Sequence, residues 1–367
     1  MVSSSLMRHQ SAIIEIKIFQ LTEKETTMNI NTIGLDIAKT IFHLVGLDKN
    51  RKQVYKKKLR RGQVLPYFTN LPPCTIAIEG CGSAFYWQRE LTKLGHRVKL
   101  LPAQYVKAHL RGNKNDYNDA LAIAEASRVP ELREVTPKTI EQQSIQALHR
   151  LRERTVNDRT SLSNQIRGLL AEFGIIFNQG ISAVRKGLPA VLEDAENGLP
   201  HTFRDALGLK YLQFRQFDDL VKEFNKLINQ ASEAHKEIAL LQSIPGFGDL
   251  VSSSYYSVIG DGKAFAKSRD ASASVGVVPR QHSTGGKTIL QGISKRGDKY
   301  LRKMLINGAR SVVNHAHKKD DALSVWVTCL VEKRGRNKAT VALANKLARI
   351  AWAVTVSGKP YQTNYAL

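Results

Sequence analysis

Two aspartates, Asp116 and Asp119, stand three residues apart at the mouth of an alanine-rich stretch, "RGNKNDYNDALAIAEASR", which runs from Arg111 to Arg128. Two further acids sit where an acid is costly. Asp36 lies within the apolar run "IGLDIAK", and Glu79 closes the short segment "CTIAIEG". A carboxylate inside an apolar strand has to be paired or to bind a cation. Taken singly, each acid has an ordinary explanation. Asn113, Asn115 or Asp116 can cap a helix with Asp119 as a first-turn acid, and an arginine can pair with Asp36 or Glu79. Taken together, two acids on separate strands and two on one helical face make a set of hard oxygen donors suited to Mg²⁺ or Mn²⁺ rather than zinc. Two such ions about 4 Å apart can activate a nucleophile and stabilise the leaving oxygen in phosphodiester transfer.

The rest of the composition says what such a centre would act on. The 367 residues carry a formal net charge of +23, which calls for a polyanionic partner, nucleic acid being the usual one. No apolar run is long enough to span a bilayer, so no membrane partner is expected. Hydrophobic residues make up 42% of the chain, enough to fill the cores of two or three domains. Cys74, Cys81 and Cys329 are scattered with no CxxC pair. That argues against a zinc knuckle and a disulfide framework, and it fits a reducing cytoplasm, with the protein associated with the nucleoid. Glu15 and Lys17 interrupt the early apolar stretch, so it does not read as a signal peptide. Residues 1–27 are expected to be an extension ahead of the first domain.

The elements that must position the acids follow in order. "NTIGLDIAKTIFHLVGLDKNRKQVYKKKL" reads as strands with "LDKNRK" as a turn, "CTIAIEG" as a buried strand, "SAFYWQRELTKLG" as an amphipathic helix ended by Gly95, and "HRVKLLPA" as another strand. A helix from Asp116 to Ser127 follows. This order predicts an α/β domain with a mixed sheet over 28–136. Between 137 and 242, apolar residues at helical spacing with many charges between them predict two long helices packed as a coiled-coil arm, interrupted by the glycine- and proline-bearing "NQGISAVRKGLPAVLEDAENGLPHT". Such an arm serves equally as a spacer, or as a dimer interface or nucleic-acid clamp. In the mainly helical region 243–367, Pro245, Gly246 and Gly248 form a tight turn before a helix, where backbone amides can meet a phosphate oxygen as in a helix-hairpin-helix. Arg280, Lys287, Lys295, Arg296, Arg302 and Lys303 crowd one segment and suit phosphate contacts.

"IGLDIAK", "IAIEG" and "KNDYNDALAIAEA", in this order, resemble the D-E-D-D set of the RuvC-like transposases of bacterial insertion sequences, the Piv/MooV-type recombinases of insertion-sequence family one-ten. "LQSIPGFGDLVSSSYYSVIGD" and "VGVVPRQHSTGGKTILQGISKRGDKYLRKMLINGAR" resemble that family's C-terminal domain, the second being similar to the subgroup eleven-eleven. The resemblance covers nearly the whole chain from Met28. It implies an RNase H-like (RuvC-like) N-terminal domain holding Mg²⁺ through Asp36, Glu79, Asp116 and Asp119. It also implies a C-terminal serine that forms a transient phosphoserine link to DNA. Family members work as homo-oligomers with active sites completed between subunits, and use a structured noncoding guide RNA to pair with donor and target DNA.

The family motif places the serine directly before a glycine. Here Thr284 precedes Gly285 and Ser283 stands one earlier. The subgroup pattern keeps a serine at the earlier place and lets the next vary, which favours Ser283. Thr284 stays open, since its hydroxyl is also a possible nucleophile. Read without the family, "HSTGGK" is a polar, flexible loop, and His282 a solvent-facing histidine. The leading reading is a transposase or site-specific recombinase. The alternatives are a Holliday-junction resolvase that hydrolyses with metal alone, and a non-catalytic nucleic-acid-binding module with a decayed site, which the presence of all four acids disfavours.

Overall fold

Strand β1 (Thr32–Asp36) organises the N-terminal unit. The computed structural model describes residues 30–113, 115–130 and 132–363, so the expected extension over 1–27 lies outside the described residues. Two compact units divide after Pro137.

In the first unit, β1 pairs antiparallel with β2 (Ile41–Leu47), which pairs antiparallel with β3 (Gln53–Arg60). On its other side β1 runs parallel to β4 (Thr75–Glu79), and β4 runs parallel to β5 (Arg97–Leu101). The sheet is therefore mixed, in the order β3-β2-β1-β4-β5. Strand alternation sorts the side chains. Ile33, Leu35, Leu44, Ile76 and Ile78 pack with Phe68 of α1 (Val64–Thr69) and with Trp87 and Leu91 of α2 (Ala84–Lys93). The opposite face receives the alanine-rich helix α4 (Asp116–Ala126), which follows the short α3 (Ala103–Val106). Val45 and Leu47 pack there on Ala120 and Ala124, and Ala77 and Leu101 on Ala122 and Ile123.

Gly34 explains why α4 lies so close. A Cβ at Gly34 would stand 2.0 Å from the Ala120 carbonyl oxygen and 2.6 Å from the Ala124 amide nitrogen. The helix backbone thus rests on the strand itself, which only glycine at this position and small residues on α4 allow. Asp36 lies two residues beyond Gly34 and therefore on the same face of β1.

In the second unit, α5 (Ile140–Ala171) and α7 (His201–Glu233) pack antiparallel, with Arg152 bonded to Asn225 and Arg159 to Asp218. Helix α6 (Ile181–Glu193) closes the far end around Leu170, Val184, Leu188 and Phe214, where Arg185 also pairs with the buried Asp218. The base of α5 is built into the following helices rather than standing apart. Ile145 shares one core with α8 (Lys236–Gln242), α9 (Asp249–Ile259), α11 (Lys299–His315) and α13 (Arg336–Ser357), and His149 bridges Ser253 and Tyr300 at 3.0 Å each. Residues 138–242 and those after them accordingly form one unit. Helices α10 (Ser268–Val275) and α12 (Ala322–Arg334) complete it, with a two-stranded hairpin, β6 (Pro279–Thr284) and β7 (Lys287–Ile293), between α10 and α11.

Candidate active site

The sheet register brings the first two acids to one edge. Leu35 is level with Ile78 across parallel strands, so Asp36 and Glu79 both end their strands on the same side, the side where ligands gather in α/β sheets. The close seat of α4 on Gly34 sets its first turn, with Asp116 and Asp119, over that edge.

Capping does not consume the helix acids. Asn115 is the N-cap, its side-chain oxygen accepting from the Tyr117 amide at 2.9 Å. Among the described residues no Lys or Arg pairs with Asp36, Glu79, Asp116 or Asp119; the arginine partner that would make Asp36 or Glu79 ordinary is not there. The acids act on each other instead. Burial, and after it the charges of Asp119, Asp116 and Glu79, push the Asp36 carboxyl up to about 6. Burial and then Asp119 also raise Glu79. Asp36 and Glu79 thus hold their protons more tightly because other carboxylates lie near them, an arrangement that a cation can stabilise. Their all-oxygen donor set fits a hard divalent ion.

Two hollows open on the acids. One is lined by Asp36, Thr40, His43, Lys58 and Asp116, the other by Glu79, Gln104, Lys107 and Asp119. His43, Lys58 and Lys107 were not singled out from the sequence. A histidine inside "IFHLVGL" reads as core, and Lys58 is one of a run of three lysines. Pairing is the signal that finds them: His43 lies opposite Asp36 on β2, and Lys58 opposite His43 on β3. Asp36, His43 and Asp116 each offer a ligand atom within 4.8 Å of the others, so they can hold a metal ion.

In the second unit "HSTGGK" is a hairpin rather than a flexible loop. Gly285 and Gly286 take φ of 54° and 78°, the paired left-handed conformation that a two-residue hairpin turn needs. Ser283 pairs with Thr288 and Thr284 with Lys287. Successive strand residues point to opposite faces, so Ser283, whose Oγ accepts from Gln281 Nε2 at 2.8 Å, and Thr284 present their hydroxyls to opposite sides. His282 shares the Thr284 face, which takes it away from Ser283 as a base. The whole turn is exposed.

The basic residues divide. Arg280, Lys287, Lys295, Arg296 and Lys303 are exposed. Arg302 is not: it is 8% exposed, and its Nη1 donates to the carbonyls of Val275 at 2.8 Å and Arg296 at 2.7 Å. It ties α11 to the preceding loop, so its expected place among the phosphate contacts is corrected to a structural one. Gly246 is likewise spent on packing, since a Cβ there would lie 2.6 Å from the Gly308 carbonyl oxygen. Gly248 precedes α9, whose first turn already carries the Asp249 carboxylate, bonded to Asn229 and Gln242. That negative charge makes the turn a poor seat for phosphate.

Residues 33–175 match a family of DEDD transposases, and residues 238–323 match the transposase IS116/IS110/IS902 family. The chain is 39% identical over 347 residues to the transposase for insertion sequence element IS1111A of Coxiella burnetii, covering 95% of each chain. It is 42% identical to a probable family 20 transposase of Pseudomonas aeruginosa, over 89% of this chain and 97% of that one. It is 38% identical to the transposase for insertion sequence element IS1328 of Yersinia enterocolitica, over 90% of this chain and 98% of that one. The chain belongs to the IS110/IS116/IS902 family of insertion-sequence transposases.

Proposed function

We propose that this transposase cuts and rejoins DNA at a Mg²⁺-dependent centre formed by Asp36, Glu79, Asp116 and Asp119 on an RNase H-like domain. The observation that carries the reading is the convergence of these four carboxylates at one sheet edge with no Lys or Arg partner among the described residues. When bound, the divalent ions supply Lewis-acid stabilisation of the nucleophile and the leaving oxygen. The chain supplies the rest. The carboxylates hold the ions, and Lys58 and Lys107 border the two hollows where phosphate oxygens would lie. Arg280, Lys287, Lys295, Arg296 and Lys303 hold the strand in a sequence-independent way.

Ser283 is the nucleophile in this reading. Its Oγ gives up its proton and bonds to phosphorus as the bond from phosphorus to one sugar oxygen breaks, and that oxygen leaves as a hydroxyl. Attack by an incoming sugar hydroxyl then breaks the Oγ–P bond and returns the serine. Exposure of the hairpin suits a residue that meets DNA held at another part of the complex. The family resemblance supplies two further parts of the proposal: active sites completed between subunits of a homo-oligomer, and an element-encoded noncoding RNA that pairs with donor and target DNA. Exposed leucines on the arm, Leu209 at 70% and Leu212 at 60%, support the oligomer.

Asp119→Asn tests the carboxylate centre. Cleavage of element-end DNA should fall by on the order of a hundredfold or more, with DNA affinity in a gel-shift assay unchanged. Loss of cleavage and binding together would give Asp119 a structural role and overturn the reading.

A further inference from the structure

We propose that His43 is a nitrogen ligand to the cation held by Asp36 and Asp116, so that this position favours Mn²⁺ over Mg²⁺ while the Glu79–Asp119 position stays oxygen-only. The inference rests on the reading of the four carboxylates as a cation centre and makes its two halves chemically unequal.

The geometry comes from three elements. His43 is directly opposite Asp36 in the β1–β2 ladder. It lies two residues from Val45, which packs against α4, so its ring emerges on the face that α4 covers. There its Nδ1 stands 3.5 Å from Asp116 Oδ2, and the three ligand atoms lie within 4.8 Å of one another. Two donors bound about 2.1 Å from one ion stand about 3 Å apart when adjacent and about 4.2 Å apart when opposite, so little movement closes the three onto one centre. The ring is also held. Its side chain is 12% exposed, and it packs edge-on against Tyr117, centroids 4.8 Å apart at 78°. Tyr117 belongs to the same first turn that carries Asp116, and its amide is fixed by the Asn115 cap. The turn that delivers one oxygen donor therefore also orients the nitrogen donor.

The chemistry separates the two positions. Mg²⁺ keeps to oxygen ligands and water, whereas imidazole binds later divalent ions in preference. The hollow with His43 thus offers a mixed set, and the hollow with Glu79, Asp119 and Gln104 offers oxygen donors alone among its metal-ligating side chains.

Pulsed EPR of full-length protein titrated with Mn²⁺ tests this. The expected result is a coupling from directly bound ¹⁴N, which becomes a ¹⁵N coupling when the protein is made with ¹⁵N-histidine, a change that needs no substitution and leaves folding untouched. The coupling should vanish in His43→Ala and in Asp36→Asn. Mn²⁺ affinity in His43→Ala should fall by at least about tenfold, the loss that removing even an outer partner of a metal ligand brings, and Mg²⁺ affinity should fall less. Bound Mn²⁺ with no nitrogen coupling, or a coupling that persists in His43→Ala, overturns the role of His43 and leaves the carboxylate centre standing. Mn²⁺ that does not bind, or binds equally well in Asp36→Asn and Asp119→Asn, overturns the carboxylate centre and this inference with it.

Discussion

Asp36 is where function and stability oppose each other. Its carboxylate is half-buried and faces three other acids, so the metal-free fold carries a repulsion that a cation would relieve. Asp36→Asn should therefore raise the melting temperature of the metal-free protein while removing cleavage. Added Mn²⁺ should stabilise the native chain by mass action and leave the variant unmoved; calorimetry with and without the ion reads both. Asp36 and Glu79 stand out in the sequence because acids in apolar strands are costly, and Asp116 and Asp119 because they share one helical face, whereas Ser283 and Thr284 stand out only through the family resemblance. His43 does not, because a histidine between apolar residues looks like core until strand register sets it opposite Asp36. Arg302 looked like its exposed neighbours because a sequence does not show which basic residue turns inward to bond two carbonyls.

At the scale of elements, the site depends on how closely α4 approaches β1. Gly34→Ala would drive a methyl group into the Ala120 carbonyl. It should cost about 1–3 kcal/mol or more in denaturant unfolding, and it should lower cleavage beyond what lost stability explains, because the turn bearing Asp116 and Asp119 shifts. A Gly34→Ala protein with native activity and stability would remove this account of how the acids are placed. The order of strands and helices was readable from alternation and from Gly95, and the mixed sheet follows it. The pairing of β1 with both β2 and β4 was not readable, since long-range register depends on contacts absent from any local window. The β6–β7 hairpin was readable in principle: two glycines between strand-length segments are a turn signal. The exposed, polar character of "HSTGGK" masked it.

Over the whole molecule, charge and the arm set behaviour. The excess of +23 predicts DNA binding that weakens steeply as salt rises, with a slope reduced by roughly one for each phosphate-contacting lysine or arginine removed. Lys295→Ala is a direct measure. The exposed leucines of α7 predict that Leu209→Lys with Leu212→Lys lowers the oligomeric state in light scattering while the helical signal in circular dichroism persists. His149 gives a pH dependence. Burial, with the Arg152 charge after it, holds its imidazole down at about 4 against an ordinary 6.5, although Asp298 opposes the shift. Folded protein then binds fewer protons than unfolded protein between these values. The contribution of neutral His149 is complete above about pH 6.5 and is lost as pH falls through about 4, at most about 3 kcal/mol. His149→Gln should flatten that part of the stability profile.

The most direct test is a trap for the covalent link. Purified protein, the element's flanking noncoding RNA and labelled element-end DNA are incubated with Mg²⁺, then denatured and resolved by size. The account predicts a protein–DNA adduct in the native chain. The adduct should be absent in Ser283→Ala, in Asp119→Asn and with a chelator, and retained in Thr284→Ala, whose hydroxyl faces the other side of the hairpin. Loss in Thr284→Ala alone would move the nucleophile by one residue and reverse the face that meets DNA. Cleavage without an adduct in every variant that keeps its four carboxylates would contradict the serine mechanism and leave hydrolysis of the resolvase kind.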